Sequence, residues 1–280
     1  PPSPILFTFP DQAEVSEALG QFVYEAQEAA FQRHGKFQIA LSGNTLPIVL
    51  ADAVIEDERV KWDRWEVFLV DEAVAPMGSS QSAFSNLTKM ILEHVPVPAG
   101  QIHSIVELSS DDIEEAKQIA DGLDTMTDSL ADDYENELLA CFPEASHETG
   151  QAPKFDLILV EVGDQGQVGG LYPGHPLLGE SDWFVAWLGD ATEPFTHRIT
   201  LTLPVFNSAY QLAFLAIGKN IASVLSDALD RTIQSDVPMD EDRVNPAALV
   251  KTDKRPIVWF ADLEASSSTD YPRSAFWDED

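Results

Sequence analysis

Three segments carry polar side chains and glycines at positions that could bind and convert a small molecule. They are Ser42–Thr45, Asp71–Pro76 and Gly163–His175, and each follows a run of apolar residues. The backbone N–H groups of the first segment could hold an anion. The carboxylates of Asp71 and Glu72 could serve acid–base chemistry or cap the following backbone, and the sequence leaves both interpretations open. Five glycines in the thirteen residues of the third segment indicate close backbone approach or positive φ angles.

Several kinds of site are not supported by the sequence. The glycine-rich segment lies past mid-chain and lacks a following βαβ unit with an acidic residue to contact a ribose, so it is not a dinucleotide-binding fingerprint. It is not a Walker phosphate-binding loop either, because no Gly-Lys-Ser/Thr follows it. No Gly-x-Ser-x-Gly nucleophile motif occurs. The six histidines lack metal-ligand spacing, and the single cysteine, Cys141, is expected to pack in the core. We therefore predict neither a metal nor a cofactor.

The elements that must position these segments alternate between short apolar runs and longer amphipathic stretches. Helical spacing of apolar residues predicts a helix over Asp11–Arg33 with Asp11 as its cap, and another from Leu46. The predicted strands are Ile5–Phe9, Phe37–Ser42, Trp65–Asp71, Phe155–Val162, Leu212–Ile217 and Pro256–Ala261. Near-continuous apolar strands separated by helices indicate an α/β fold, a doubly wound and mainly parallel sheet with helices on both faces. Ligands of such sheets bind beyond the carboxyl ends of the strands, so we expect the three segments to converge there.

The charge of the chain restricts its partners. Its 280 residues carry 16 Lys plus Arg against 48 Asp plus Glu, a formal charge of −32. Nucleic acids and anionic membrane surfaces are therefore not expected as partners, whereas a small molecule is. With 44% hydrophobic residues the chain should be globular, and we predict one domain over residues 1–265 followed by an acidic, Ser-rich tail over residues 266–280. The chain has one cysteine and no apolar stretch long enough to span a membrane, so we expect it in the cytosol. The sequence does not indicate the oligomeric state.

A dozen segments in this order resemble the 6-phosphogluconolactonase family, and fungal members in particular. The match covers most of the chain and includes Ala40-Leu-Ser-Gly, Phe155-Asp-Leu-Ile-Leu, Leu171-Tyr-Pro-Gly-His, Arg198-Ile-Thr-Leu and Asn245-Pro-Ala-Ala-Leu-Val. The resemblance implies a Rossmann-like sheet related to the sugar-phosphate isomerases. It also implies hydrolysis of 6-phosphogluconolactone, with a histidine of the glycine loop as general base.

The departures from the family pattern fall within the same three segments and one further position. Ala73 replaces an arginine of the Asp-Glu-Arg motif, Glu193 replaces a lysine, and Ser-Gly-Gly-Ser becomes Ser42-Gly-Asn-Thr45. In the glycine loop the family's Asp, His, Thr and Ser are replaced by Gln165, Gln167, Val168 and Gly170. A glutamine amide cannot take a proton from water near neutral pH. Of the basic residues that the resemblance maps to the pocket, Arg198 alone remains.

The sequence therefore predicts a divergent active site. The candidate catalytic residues are Asp71, Glu72, Gln167 and His197. The candidate binding residues are Ser42, Gly43, Asn44, Thr45, Gly163, Gly166, Val168, Tyr172, His175, Glu193 and Arg198, among which His175 is expected to be structural. The favoured hypothesis is a repurposed catalyst, with specialised metabolism as one setting, for a neutral or weakly polar, non-phosphorylated lactone or related carbonyl compound. A 6-phosphogluconolactonase with a modified mechanism and a non-catalytic homologue that binds a ligand or a protein are the alternatives.

Overall fold

The computed structural model of the protein describes residues 2–191, 195–233 and 244–277. Its strands are β1 (Ile5–Phe9), β2 (Phe37–Leu41), β3 (Trp65–Leu69), β4 (Asp71–Ala73), β5 (Ile102–His103), β6 (Leu157–Glu161), β7 (Val185–Leu188), β8 (Arg198–Leu201), β9 (Leu212–Ala216), β10 (Val258–Asp262) and β11 (Arg273–Ser274). Its helices are α1 (Gln12–Arg33), α2 (Leu46–Val54), α3 (Ala83–Met90), α4 (Ser110–Lys117), α5 (Gly122–Cys141), α6 (Leu203–Ser208), α7 (Ala222–Ile233) and α8 (Pro246–Leu249).

The centre of the molecule is an eight-stranded parallel sheet in the order β11-β1-β10-β9-β6-β2-β3-β5. Every residue of β2, β9 and β10 is buried. Strands covered on both faces have no polar face, and this explains their continuous apolar runs. The predicted α/β class and the parallel sheet are confirmed, and a strand of this sheet occupies most of each predicted range.

A second sheet of three antiparallel strands, in the order β4-β8-β7, was not predicted from the sequence. The sequence predicts one strand from Trp65 to Asp71, but the chain leaves the large sheet at Val70. The Val70 N–H donates to Leu41 O at 3.0 Å, and Val70 O accepts from Leu201 N at 2.9 Å. This residue therefore joins the two sheets, and Asp71 belongs to the small one.

The helix boundaries follow from local capping. Asp11 Oδ1 accepts hydrogen bonds from the N–H groups of Ala13 and Glu14 at 2.9 and 3.1 Å, so it caps α1 as predicted. The acidic stretch after Glu107 forms two helices, α4 and α5, and Asp121, which directly precedes α5, adopts φ +57°. None of the helices in the described part of the chain is long and apolar enough to cross a membrane.

The C-terminal residues pack along one edge of the large sheet. β11 pairs with β1, and the Tyr271 hydroxyl donates to Pro4 O at 2.7 Å. The division into a domain of residues 1–265 and a tail of residues 266–280 stays a prediction, and residues 278–280 lie outside the described part.

Candidate active site

The three polar segments meet in one crevice at the carboxyl edge of the large sheet, as the topology predicts. Ser42 and Asn44 follow β2, Asp71 follows β3, and the glycine-rich segment follows β6. The crevice has a volume of about 60 Å³ and is lined by Ser42, Asn44, Asp71, Glu161, Gly163, Gln167, Gly169, Tyr172 and Arg198. Ser42 also holds the strands together, because its hydroxyl accepts the N–H of Glu161 at 2.9 Å.

A buried ion pair joins Asp71 and Arg198 across the small sheet. In the antiparallel register Asp71 lies opposite Thr200 and Ala73 opposite Arg198, so the two charged side chains share one face. Arg198 Nη1 donates to Asp71 Oδ2, and the side chains are only 13% and 6% exposed. Burial lowers the pKa of Arg198, but the charge and hydrogen bond of Asp71 outweigh it and raise that pKa above its ordinary value. The guanidinium is therefore a permanent cation.

Both members of this pair keep unused hydrogen-bonding capacity. The Arg198 Nε atom is buried and has no partner among the residues that the structure describes. Within the same residues, the second carboxylate oxygen of Asp71 accepts no hydrogen bond. Among the described residues the ion pair thus keeps one donor and one acceptor without a hydrogen-bond partner.

Glu161, the last residue of β6, is a site residue that the sequence analysis missed. Its Oε2 atom accepts the N–H groups of Thr45 and Leu46 at 2.6 and 2.9 Å, at the start of α2. Burial raises the pKa of the Glu161 carboxyl, and the N–H groups of Leu46 and Thr45 oppose that rise. The sequence feature that points to this residue is that Glu161 is the single charged residue within the otherwise apolar run Leu157–Val162.

The glycine-rich loop is held in shape by its own backbone. Gly166 and Gly169 adopt φ angles of +82° and +57°, where a side chain would be strained. The Gly163 N–H donates to Gln167 O at 2.9 Å, and the Gln167 side-chain oxygen accepts the N–H of Gln165 at 3.0 Å. Gln167 therefore lines the crevice as a positioned amide.

Glu72 lies outside the crevice, although it is adjacent to Asp71 in sequence. Its carboxylate accepts three backbone N–H groups, from Ala73, Ala83 and Phe84, each at 2.8 Å. It therefore caps the N-terminus of α3, the capping role that the sequence left open. Burial raises the pKa of Glu72 to about 7, against the effect of the hydrogen bonds from Phe84 and Ala83.

The two histidines of the predicted site also do not line the crevice. His197 Nε2 lies 2.8 Å from Asp124 Oδ1, and its ring lies parallel to that of Trp187 at 6.5 Å. His175 Nδ1 accepts the Leu177 N–H at 3.2 Å and so caps a short helical turn, consistent with the structural role expected of it. Neither histidine is among the residues that line the crevice of Asp71 and Arg198.

The remaining predicted residues have different surroundings. Val168 is fully buried in the core, and Gly43 packs against Ala83, which a Cβ atom at position 43 would approach to 2.2 Å. Tyr172 lines the crevice and Gly166 shapes its loop. Glu193 lies outside the described residues. Among residues 2–191, 195–233 and 244–277, no group of three or more His, Cys, Asp or Glu could hold a metal ion.

The crevice is acidic despite the presence of Arg198. Its lining holds two carboxylates and one guanidinium, a formal charge of −1 among the described lining residues. The Arg198 guanidinium is paired with the Asp71 carboxylate, and Glu161 accepts the N–H groups at the start of α2. Hydrogen bonds from Arg198, Gln167 and Tyr172 remain possible, an arrangement suited to an uncharged polar ligand.

Comparison with known sequences identifies relatives over almost the whole chain. A family model described as glucosamine-6-phosphate isomerases/6-phosphogluconolactonase matches residues 10–259. A probable 6-phosphogluconolactonase of Schizosaccharomyces pombe is 32% identical over 266 residues, which cover 94% of this chain and 95% of that protein. The 6-phosphogluconolactonase of Rattus norvegicus is 29% identical over 277 residues, 97% and 96% of the two chains.

Comparison with solved structures supports the same fold. The crystal structure of 6-phosphogluconolactonase from Leishmania guyanensis superposes with a TM-score of 0.78 at 23% identity, covering 95% of this chain and 98% of that one. A monomeric glucosamine-6-phosphate deaminase superposes with a TM-score of 0.65 at 16% identity, covering 94% and 99% of the two chains. At these identities the likeness establishes the architecture alone.

Proposed function

Because the chain belongs to the glucosamine-6-phosphate isomerase/6-phosphogluconolactonase family, we propose that it is a lactone hydrolase whose substrate carries no phosphate group. The family membership supports a function of the 6-phosphogluconolactonase type. The observation that carries the finer proposal is the charge of the crevice, where two carboxylates outnumber the one guanidinium. A phosphate dianion would meet net repulsion there, whereas a neutral lactone would not.

The ion pair supplies groups that hydrolysis of a lactone can use. The Arg198 guanidinium can donate to the lactone carbonyl oxygen and stabilise the negative charge that develops on it. The free oxygen of Asp71 can accept a hydrogen bond from the attacking water and take its proton. The water oxygen then bonds to the acyl carbon, the ring C–O bond breaks, and the ring oxygen takes up the proton. The product is a hydroxy acid.

Gln167 fits a binding role in this scheme. Its amide cannot act as a general base near neutral pH, but it can hydrogen-bond an uncharged hydroxyl or carbonyl group of the substrate. Tyr172 offers a hydroxyl group and an aromatic surface on the same wall. The cytosol expected from the sequence is part of this proposal.

Hydrolysis of 6-phosphogluconolactone by a modified mechanism is the second candidate function. It is favoured by relatives that bear that name, at about 30% identity over nearly full length. In that case Arg198 would have to bind phosphate while paired with Asp71. Gln167 occupies the position of the family's general base but cannot act as one, so another group would have to take the proton from water.

The two candidates are separated by a matched pair of substrates. Purified protein is assayed with 6-phosphogluconolactone and with the same lactone lacking phosphate, and acid release is followed above the spontaneous rate. We expect kcat/KM for the unphosphorylated lactone to be higher by at least about tenfold, equivalent to about 1.4 kcal/mol. A higher kcat/KM for the phosphorylated lactone would establish the second candidate instead.

The variant Asp71→Asn is the control for the site itself. It keeps the shape of the side chain and removes the acceptor charge, so activity should fall to the spontaneous rate. If neither lactone is hydrolysed faster by the wild-type protein than by this variant, the chain is a non-catalytic homologue for this substrate class. Binding of the unphosphorylated lactone, measured by calorimetry, then tests the crevice as a ligand site.

A further inference from the structure

We infer that Glu161 is a specificity-determining residue, whose carboxylate occupies the anion-binding N-terminus of α2 and excludes anionic ligands from the crevice. This inference deepens the proposed function and rests on it, because it explains why the substrate would be uncharged.

The N–H groups at the start of α2 are bound by a side chain from a neighbouring strand. The first N–H groups of any helix lack an intrahelical acceptor and carry a partial positive charge. The side chain of Thr45, which precedes the helix, makes no capping hydrogen bond within the described part of the chain. Glu161 Oε2 accepts from both Thr45 N and Leu46 N, at 2.6 and 2.9 Å. A carboxylate of the chain itself thus makes the contacts that an anionic ligand would otherwise make.

Glu161 also forms part of the boundary between two spaces. On one side lies the crevice of Asp71 and Arg198, and on the other a cavity of about 230 Å³ that has Thr45, Asp164 and Asn220 in its lining. A cavity needs only about 10–15 Å³ by this measure to hold one water molecule, so there is room for a phosphate group. Removing the Glu161 side chain would connect the two spaces and expose the two N–H groups.

The backbone around Glu161 should tolerate such a change. The Glu161 N–H donates to the Ser42 hydroxyl, and residue 161 pairs with Leu215 in the sheet. Both contacts involve backbone atoms of residue 161 and remain when its side chain is shortened. The formal charge of the crevice lining would rise from −1 to zero.

The test is the binding of inorganic phosphate, titrated calorimetrically at constant ionic strength into the wild-type protein and three variants. Glu161→Ala removes the charge and frees the N–H groups. Glu161→Gln removes the charge but leaves an amide oxygen that can accept from both. Asp164→Ala removes a carboxylate from the neighbouring cavity without touching the helix terminus, so it is the matched control for charge alone.

We expect Glu161→Ala to bind phosphate at least about tenfold more tightly than the wild-type protein. Glu161→Gln and Asp164→Ala should each stay within about threefold of wild type. The inference is overturned if the wild-type protein binds phosphate as tightly as Glu161→Ala. It is equally overturned if all three variants gain the same affinity for phosphate. The loss of one negative charge would then explain the gain, and the occupation of the α2 N–H groups by the Glu161 side chain would not matter.

Two further measurements make the outcome decisive. Glu161→Gly is titrated in parallel, so that a folding defect of the alanine variant does not decide the result. The rise in melting temperature with phosphate is recorded for each protein and should appear in the two truncation variants alone. Since neither measurement needs turnover, a failure here leaves the lactone assay to judge the proposed function by itself.

Discussion

Replacing Asp71 by asparagine should destabilise the protein substantially, because it leaves the guanidinium of Arg198 buried without a counter-charge. The two side chains are 6% and 13% exposed, so water can replace little of the lost interaction. Removing one partner of a buried pair costs about 3–5 kcal/mol. Because Arg198 retains some contact with solvent, we expect the free energy of unfolding to fall by about 3 kcal/mol.

The assay is urea unfolding of a double-mutant cycle: wild type, Asp71→Asn, Arg198→Met and the double variant. Each single change leaves one buried charge unpaired, whereas the double change leaves none. The double variant should therefore lose less stability than the sum of the single variants, by about 1–3 kcal/mol.

The more exposed pair Asp227–Arg231 serves as the matched control. Its N–O distance is 2.7 Å, but its side chains are 37% and 25% exposed and four residues apart on α7. Asp227→Asn should lower the free energy of unfolding by no more than about 0.5 kcal/mol. The reasoning is refuted if Asp71→Asn costs as little as Asp227→Asn, or if the cycle shows no coupling.

Three further outcomes are expected. Gln167→His alone should not confer 6-phosphogluconolactone hydrolysis above the spontaneous rate, because the crevice charge is unchanged; a clear rate increase would show that only a base was missing. Gly43→Ala should lower the free energy of unfolding by about 1–3 kcal/mol in urea titrations, since its Cβ would lie 2.2 Å from Ala83. Gly100→Ala is the control and should cost far less, because a Cβ at position 100 would meet nothing within 4 Å. The Glu72 carboxyl, whose pKa is raised to about 7 in the fold, favours the native state while it is protonated. The free energy of unfolding of the wild type, relative to that of Glu72→Gln, should therefore fall by about 3 kcal/mol as pH rises from about 4.5 to about 7. Equal pH slopes of this free energy in the two proteins would contradict the expectation.

The large sheet and the place of the crevice could be predicted from the sequence because they depend on local patterns. Apolar runs such as Leu212–Ala216 define buried parallel strands, and the rule for ligand sites then selects their carboxyl ends. The small antiparallel sheet could not be predicted in this way. Its three strands are short, and the partner of Asp71 lies 127 residues further along the chain.

The placements of Glu72 and His197 outside the crevice share one physical cause. Successive side chains of a strand point to opposite faces, so neighbours in sequence do not share a site. Glu72 follows Asp71 and points away from the crevice to cap α3, and His197 precedes Arg198 and contacts Asp124. Glu161 was not predicted, because nothing in the apolar strand that it ends indicates that its side chain reaches the start of α2.

The three-residue strand β4 makes the site sensitive to insertions and deletions. With Asp71 opposite Thr200, the carboxylate and the guanidinium of Arg198 share a face. A deletion of one residue just before Asp71 would shift Glu72 into that register and turn Asp71 to the opposite face of the strand. The connection from β4 to α3 lies outside this strand register. Length variation among homologous chains should therefore accumulate in that connection and be absent between Trp65 and Ala73.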